Sequence, residues 1–519
     1  MVVFEIVIAL LLGGAVLATV ARRIAVPYPA LVAIAGAALA LVPRVPSLVL
    51  DPELALALFV APVLLDAAFD VSQRDLRRHW RAVAGLALGA VVLTVLAVAV
   101  VAHALVPGLP WAAAVALGAI VAPPDAAAAT AVLRQLRPPH RLLVVLEGES
   151  LFNDASALLI YRFAVGAGAA GFAAVSGGSV ARALVAVAGS LVLGFVLSRL
   201  VLSLIGRVQD VATAVLLQFC SAFAVWMLAE RLHLSGILTI VVFAMAASRP
   251  AAESTPARLR IPSFAVWEVA VFVLNVLAFI LVGLQLRQIV ERGAWTRYVG
   301  VAVAVCLAVI LARMAWVYGA AGLSRWRCRS AGGRADAPDD VVALSGRAAT
   351  IVGWCGMRGT VTLAAALALP VDFPFRDLVF FSSFAVVLVT LVVQGMTLRP
   401  LLVWLDVRDD GTVEREMRLA RVETLRAALD VARASGGETA DVLRRRYELR
   451  LRRAERGAAD GGWEREAEVV RAVTAAERQR LIELRDDGTI GDTAFQQIEQ
   501  ELDFRELDLL KVTDEPQPP

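Results

Sequence analysis

From Arg141 to Gly168 the chain is apolar for long enough to cross a bilayer, which takes about 20 helical residues. Yet the middle of that run reads L-E-G-E-S-L-F-N-D (146–154). Arg141 marks one end, so Asp154 falls near the midplane, where a carboxylate costs a few kcal/mol or more. On a helix, Ser150 and Asp154 share one face at i, i+4, and Glu149 and Asn153 share the next. Lipid satisfies neither polar stripe, so both must face protein or a wet cavity. A chain that carries this segment folds as a bundle of spanning helices around it.

The remainder of the sequence agrees. Of 519 residues, 59% are hydrophobic, and the mean hydropathy of +0.72 belongs to a polytopic membrane protein. Length and breaker signals place about 13 spans. They lie near 2–20, 28–43, 54–70, 81–106, 111–136, 141–168, 180–207, 212–232, 236–248, 262–286, 295–323, 345–369 and 378–405. The run Val2 to Val20 has no basic segment before it and reads as a first span, not a cleaved signal peptide. Alternate loops carry about 18 arginines against about 6 on the other side. That asymmetry predicts an outer N-terminus and a cytoplasmic C-terminus.

After Leu405 the composition turns to Arg, Glu and Asp, which predicts two domains, 1–405 in the membrane and 406–519 a cytoplasmic helical tail. Thr412 to Ala434 and Arg465 to Asp487 have helical periodicity, and the Gly488–Asp492 stretch reads as a helix stop and restart. Nothing in the tail suggests catalysis or nucleotide binding. The four cysteines are scattered without metal spacing, and the four histidines form no H-E-x-x-H. No cofactor and no nucleic-acid partner are expected.

Three other spans hold polar groups. The third contains Asp66. The fifth contains A-P-P-D (122–125), whose two prolines break the helix beside Asp125 near mid-membrane. The twelfth contains G-W-C-G-M-R-G-T (353–360), with Arg358 at the depth of Asp154 and glycines that let the helix unwind. The fifth and twelfth spans occupy corresponding places in the two halves of the chain. A pair of interrupted helices so placed points to a secondary transporter's binding site, where loose carbonyls and half-helix ends suit a small hard cation. Neither Arg358 nor Glu149 is tolerable alone in lipid; a pair between them would leave Asp154 as the free carboxylate.

E-G-E-S-L-F-N-D (147–154) resembles the signature of the sodium/proton antiporters of the NhaP/NHE type. So do P-P-D-A (123–126), H-L-S-G-I-L (233–238), N-V-L-A-F-I-L-V-G-L-Q-L (275–286) and G-M-R-G-T-V (356–361), in order, over roughly residues 54 to 370. The resemblance implies an all-α polytopic fold of about 13 helices with inverted repeats, two broken crossing helices and elevator-like alternating access. It also implies a homodimer in the plasma membrane that exchanges sodium for protons and is not an enzyme. Asp154 would bind sodium or a proton in turn. Ser150 and Asp66 would be further cation ligands or neighbours of the ion, and Asn153 would help hold the site together. Glu149 and Arg358 would form a buried structural pair. Asp125 would sit at the helix crossing and offset half-helix dipoles. The Asn-Asp motif implies electroneutral exchange. Several relatives have threonine before the aspartate of the fifth span; this chain has Pro124, so a carbonyl or a water must replace that hydroxyl.

Other functions predict other features. The same machine working on potassium or lithium is the nearest alternative. A channel needs a continuous polar pore and no titrating carboxylate. An intramembrane aspartyl hydrolase wants Y-D and G-x-G-D within spans, and neither occurs there.

Overall fold

The computed structural model describes residues 2–24, 27–40, 51–125, 129–130, 133, 138–170, 177–291, 295–330, 346–407, 411–456, 462–487, 489–491, 494–499 and 501–503. Arg134, Arg137 and Arg334, which entered the count of loop charges, lie outside them, as do Ala126, Gly488 and Asp492. The described residues fold as nineteen α-helices in two compact units, Met1–Asp410 and Gly411–Pro519. The boundary falls five residues beyond the expected 405/406, after the last helix of the first unit ends at Leu405.

The first unit begins with α1 (Val2–Ile24), α2 (Tyr28–Ala40), α3 (Pro52–Asp70), α4 (Gln73–Ala84), α5 (Val91–Leu105) and α6 (Trp111–Val121). It continues with α7 (His140–Ala170), α8 (Gly177–Ile205), α9 (Val211–Arg231), α10 (Gly236–Ser254) and α11 (Ala257–Glu291). It ends with α12 (Trp295–Ser330), α13 (Gly346–Trp354), α14 (Thr360–Leu367), α15 (Arg376–Val389) and α16 (Gly395–Leu405). Six of these segments are long and apolar enough to cross a membrane, and four shorter apolar helices accompany them. With α3, α7 and the α13–α14 pair, whose polar groups or breaks interrupt the apolar run, they occupy the thirteen positions expected.

Local chemistry sets the ends. Asp210 caps α9 by accepting from the backbone N–H of Thr213 at 2.9 Å and from its hydroxyl at 2.8 Å. Those bonds hold its carboxyl below the usual range. Ser235 caps α10 in the same way. A π-helical turn, Gly85–Ala90, joins α4 to α5 where the Trp316 ring lies against Gly89 and its indole N–H donates to the Gly85 carbonyl at 3.2 Å. A second π turn, Thr390–Gln394, joins α15 to α16.

The helices sort into two bundles. α4–α7 pack with α12–α16 as a core; α1–α3 pack with α8–α11 as a scaffold. Each half of the chain thus supplies scaffold helices first and core helices second. The bundles meet mainly where α14 lies on α3 and α11. Polar ties join them at both ends: Arg162 on α7 pairs with Glu230 on α9 at 2.5 Å, and Gln73 on α4 donates to the Met245 carbonyl on α10.

The second unit contains α17 (Thr412–Ala434), α18 (Glu438–Arg456) and α19 (Gly462–Asp486). α17 and α18 pack as a hairpin that turns at Gly437, whose φ of +105° suits glycine. Arg426–Glu455 at 2.9 Å and Arg433–Glu448 at 3.6 Å cross between them.

Candidate cation site at the helix crossing

The fifth and twelfth spans are both broken and the breaks touch. α6 ends at Val121 and the chain bends at Ala122 and Pro123 and runs on without helix through Pro124 and Asp125; α13 ends at Trp354 and helix resumes at Thr360. The backbone N–H of Asp125 donates to the Met357 carbonyl at 2.6 Å. Breaking a helix frees carbonyls at its C-terminal end, which carries partial negative charge. Arg358 answers this: its Nε donates to the Val121 carbonyl at 2.9 Å and a terminal nitrogen to Ala122 at 3.2 Å. Its other terminal nitrogen donates to Gly356, and its backbone N–H to the Thr390 hydroxyl at 3.0 Å.

Arg358 is therefore not the partner of Glu149. That expectation is corrected by Arg313 of α12, whose two terminal nitrogens reach the Glu149 carboxylate at 2.5 and 3.2 Å. Arg313 also donates to the Val352 carbonyl at 3.0 Å, so one fork ties α7, α12 and α13. The physical reason is that Arg358 is occupied by carbonyls of the two breaks. Glu149 and Arg358 are wholly buried and Arg313 is 2% exposed.

α7 brings the remaining polar groups to the crossing. The Ser150 hydroxyl donates to the Pro124 carbonyl at 2.9 Å, which ties the α7 motif to the break after α6. The Asn153 amide donates to Glu149 at 3.1 Å, while its own oxygen, also buried, has no hydrogen-bond partner among the described residues. Asp154 is 7% exposed and feels the charge of Asp125. Among the described residues no group donates to its carboxylate and no cation pairs with it. Asp125 sits against Gly359, where a Cβ would fall on the carboxylate. Gly359→Ala is thus expected to displace Asp125 and strongly reduce transport while protein yield stays near the parent's; unchanged transport rates in vesicles would show that the Asp125 position is not needed.

Asp66 stands elsewhere. It lies on α3 in the scaffold, where its charged neighbours are Asp70 and Glu268. With Asp70, Gln218, Arg260 and Trp267 it lines a cavity of about 140 Å³. The structure brings Asp154, Asn153, Ser150 and Asp125 together at the crossing; Asp66 lines the cavity among the scaffold helices. Asn275 donates to the Tyr28 hydroxyl at 3.2 Å within the scaffold.

Arg313 is the residue that sequence reading missed. Its signal was available: an arginine in the middle of the apolar run Trp295–Leu323, whose other arginine, Arg297, stands at its start; at mid-span it is as costly as Arg358 in the twelfth span.

The family model described as the transmembrane sodium/hydrogen exchanger matches residues 6–404. An uncharacterised Na(+)/H(+) exchanger of Mycobacterium tuberculosis is 32% identical over 536 aligned positions, covering 98% of this chain and 97% of that one. A sodium, potassium, lithium and rubidium/H(+) antiporter of Bacillus pumilus is 28% identical, over 93% of this chain and 74% of its own length. Among solved structures, the sodium proton antiporter MjNhaP1 from Methanocaldococcus jannaschii superposes with a TM-score of 0.61 at 17% identity, covering 76% of this chain and 99% of that one. The fold is therefore shared with that antiporter, and the chain belongs to the sodium/hydrogen exchanger family of membrane antiporters.

Proposed function

We propose that this protein exchanges sodium for protons across the plasma membrane, one for one, with both ions taking turns on Asp154. The observation that carries the reading is a buried carboxylate, Asp154, without a counter-charge among the described residues. Glu149 has Arg313, and Arg358 serves carbonyls, so neither buried arginine neutralises Asp154. A carboxylate so placed must take its compensating charge from a proton or a dissolved cation. Hard oxygens nearby, on Ser150, Asn153 and Asp125, suit sodium. Asp66, in its cavity on the scaffold, is placed to meet the cation on its way, not to share its ligand shell.

Two bundles give the movement. The core carries the crossing, the scaffold carries the exposed apolar stripe of α8 with Val192, Phe195 and Val196, and sliding one past the other exposes Asp154 to each side in turn. That stripe is the surface on which a second copy would pack as a homodimer. The arginine-rich loops put the C-terminal unit in the cytoplasm and the N-terminus outside. No cofactor enters the scheme.

Potassium is the second reading, favoured by the Bacillus pumilus relative's named ion range and by Pro124, which leaves a carbonyl where a hydroxyl would narrow the choice. Vesicles loaded with a pH-sensitive dye and pulsed with sodium, potassium or lithium separate the two. Sodium is expected to give the largest proton flux at low concentration. A larger response to potassium selects the second reading, and steady ionic current without coupled proton movement rejects exchange altogether.

Cutting the chain after residue 410, at the boundary between the units, is expected to leave an exchanger, since every polar group at the crossing precedes the cut. Complete loss of exchange in a well-inserted truncation would make the tail part of the machine.

A further inference from the structure

We propose that the outward face of α18 docks on an anionic lipid surface. α18 packs on α17 through one side, where Ala440 is buried and Tyr447 and Leu451 are half-buried. The opposite side carries Val442, Arg445, Leu449 and Arg452, spaced i, i+3, i+7, i+10 along a single stripe. Val442 is 63% and Leu449 54% exposed. Arg445 and Arg452 are exposed, and among the described residues neither has an ion-pair partner.

Three of the four acids of the helix are held in ion pairs. Asp441 pairs with Arg444 at 2.9 Å, Glu448 with Arg433 and Glu455 with Arg426. From Val442 to Arg452 the stripe is basic and apolar with no acid on it; Glu438 stands on the same face one turn earlier, at the start of the helix. Arginine recurs in sequence at 445, 446 and 452, and the 3.6-residue period sets all three on the same half of the helix. This is a local concentration: acids outnumber bases across residues 411–519.

Apolar side chains flanked by arginines are the pattern of a helix that lies in a lipid–water interface, where apolar groups enter the boundary and arginines meet phosphates. A nucleic-acid surface would leave Val442 and Leu449 without a partner of their own kind. The tail is also covalently tethered to a bilayer: the chain leaves the last span at Leu405 and enters α17 at Thr412. The occupant we assign is therefore phospholipid with anionic headgroups, not a soluble partner.

The test uses the full-length protein with Leu449 replaced by the photoreactive residue p-benzoylphenylalanine. It is reconstituted in vesicles of phosphatidylcholine alone or with phosphatidylglycerol, illuminated and analysed by mass spectrometry. Phospholipid adducts are expected in the anionic vesicles, falling at high salt and in neutral vesicles. The added substitutions Arg445→Glu and Arg452→Glu should lower the adduct by about fivefold or more for each arginine. A sodium-driven pH assay on the same preparation reports folding and exchange separately, so failure of docking and failure of the antiport reading are distinguishable. Adducts to a second copy of the chain, equal adducts in neutral and anionic vesicles, or no adduct in an active preparation would each overturn the proposal.

Discussion

Asp154→Asn is expected to give a folded protein that moves no ions. The amide matches the carboxylate in size, so packing against α6 and around the crossing is kept, but it neither titrates nor supplies a charge to a cation. If one carboxylate serves both ions, sodium and protons compete for it, and only the neutralised site crosses between the two sides. In the parent, the sodium concentration needed for half-maximal exchange should rise as pH falls, by up to about tenfold per pH unit where the proton dominates the site. A one-for-one exchange moves no net charge, so clamping the membrane potential should not alter its rate. Sodium-dependent proton flux that persists in a folded Asp154→Asn protein would remove the single-carboxylate mechanism and turn attention to Asp125 or Asp66.

The parts of this site that were legible in sequence are those that violate a local rule. An acid inside an apolar run, two prolines at mid-span and a glycine-rich interruption each break the pattern around them, so Asp154, Asp125 and Arg358 stood out. Which group meets which was not legible, because pairing depends on how helices far apart in sequence pack. Arg313 and Glu149 come together only because α12 and α7 share the core bundle. Arg358 looked like the natural partner by depth alone; depth does not report the carbonyls that the break in α6 would offer it. The π turn at Gly85–Ala90 was equally hidden, since the ring lying against it belongs to Trp316. Asp66 was read as a cation ligand or a neighbour of the ion; its cavity, lined with Asp70 and Trp267 by scaffold helices, depends on packing between α3 and helices far along the chain and was not legible.

Glu149→Ala and Arg313→Ala are each expected to destabilise the membrane unit by about 3–5 kcal/mol, because removing one member of a buried pair leaves the other uncompensated. Arg313 loses more than a charge partner: the same fork holds Val352 on α13, so its removal also loosens the half-helix that leads into the break. Asn153 gives the Glu149 variant a second cost, since its amide loses the acceptor at Glu149. Arg313→Lys should recover only part of the stability, as an ammonium cannot reproduce the two-pronged contact. The decisive measurement is a double-mutant cycle by thermal unfolding in detergent. Glu149→Gln combined with Arg313→Met removes both charges at once and should be nearer the parent in stability than either single change. Additive losses would mean that the two residues stabilise the fold independently. The same experiment with Arg358→Met in place of Arg313→Met should show no rescue of Glu149→Gln, because Arg358 holds the carbonyls of Val121 and Ala122 rather than the carboxylate. Rescue by Arg358→Met would instead place the pair where depth in the membrane alone suggested it.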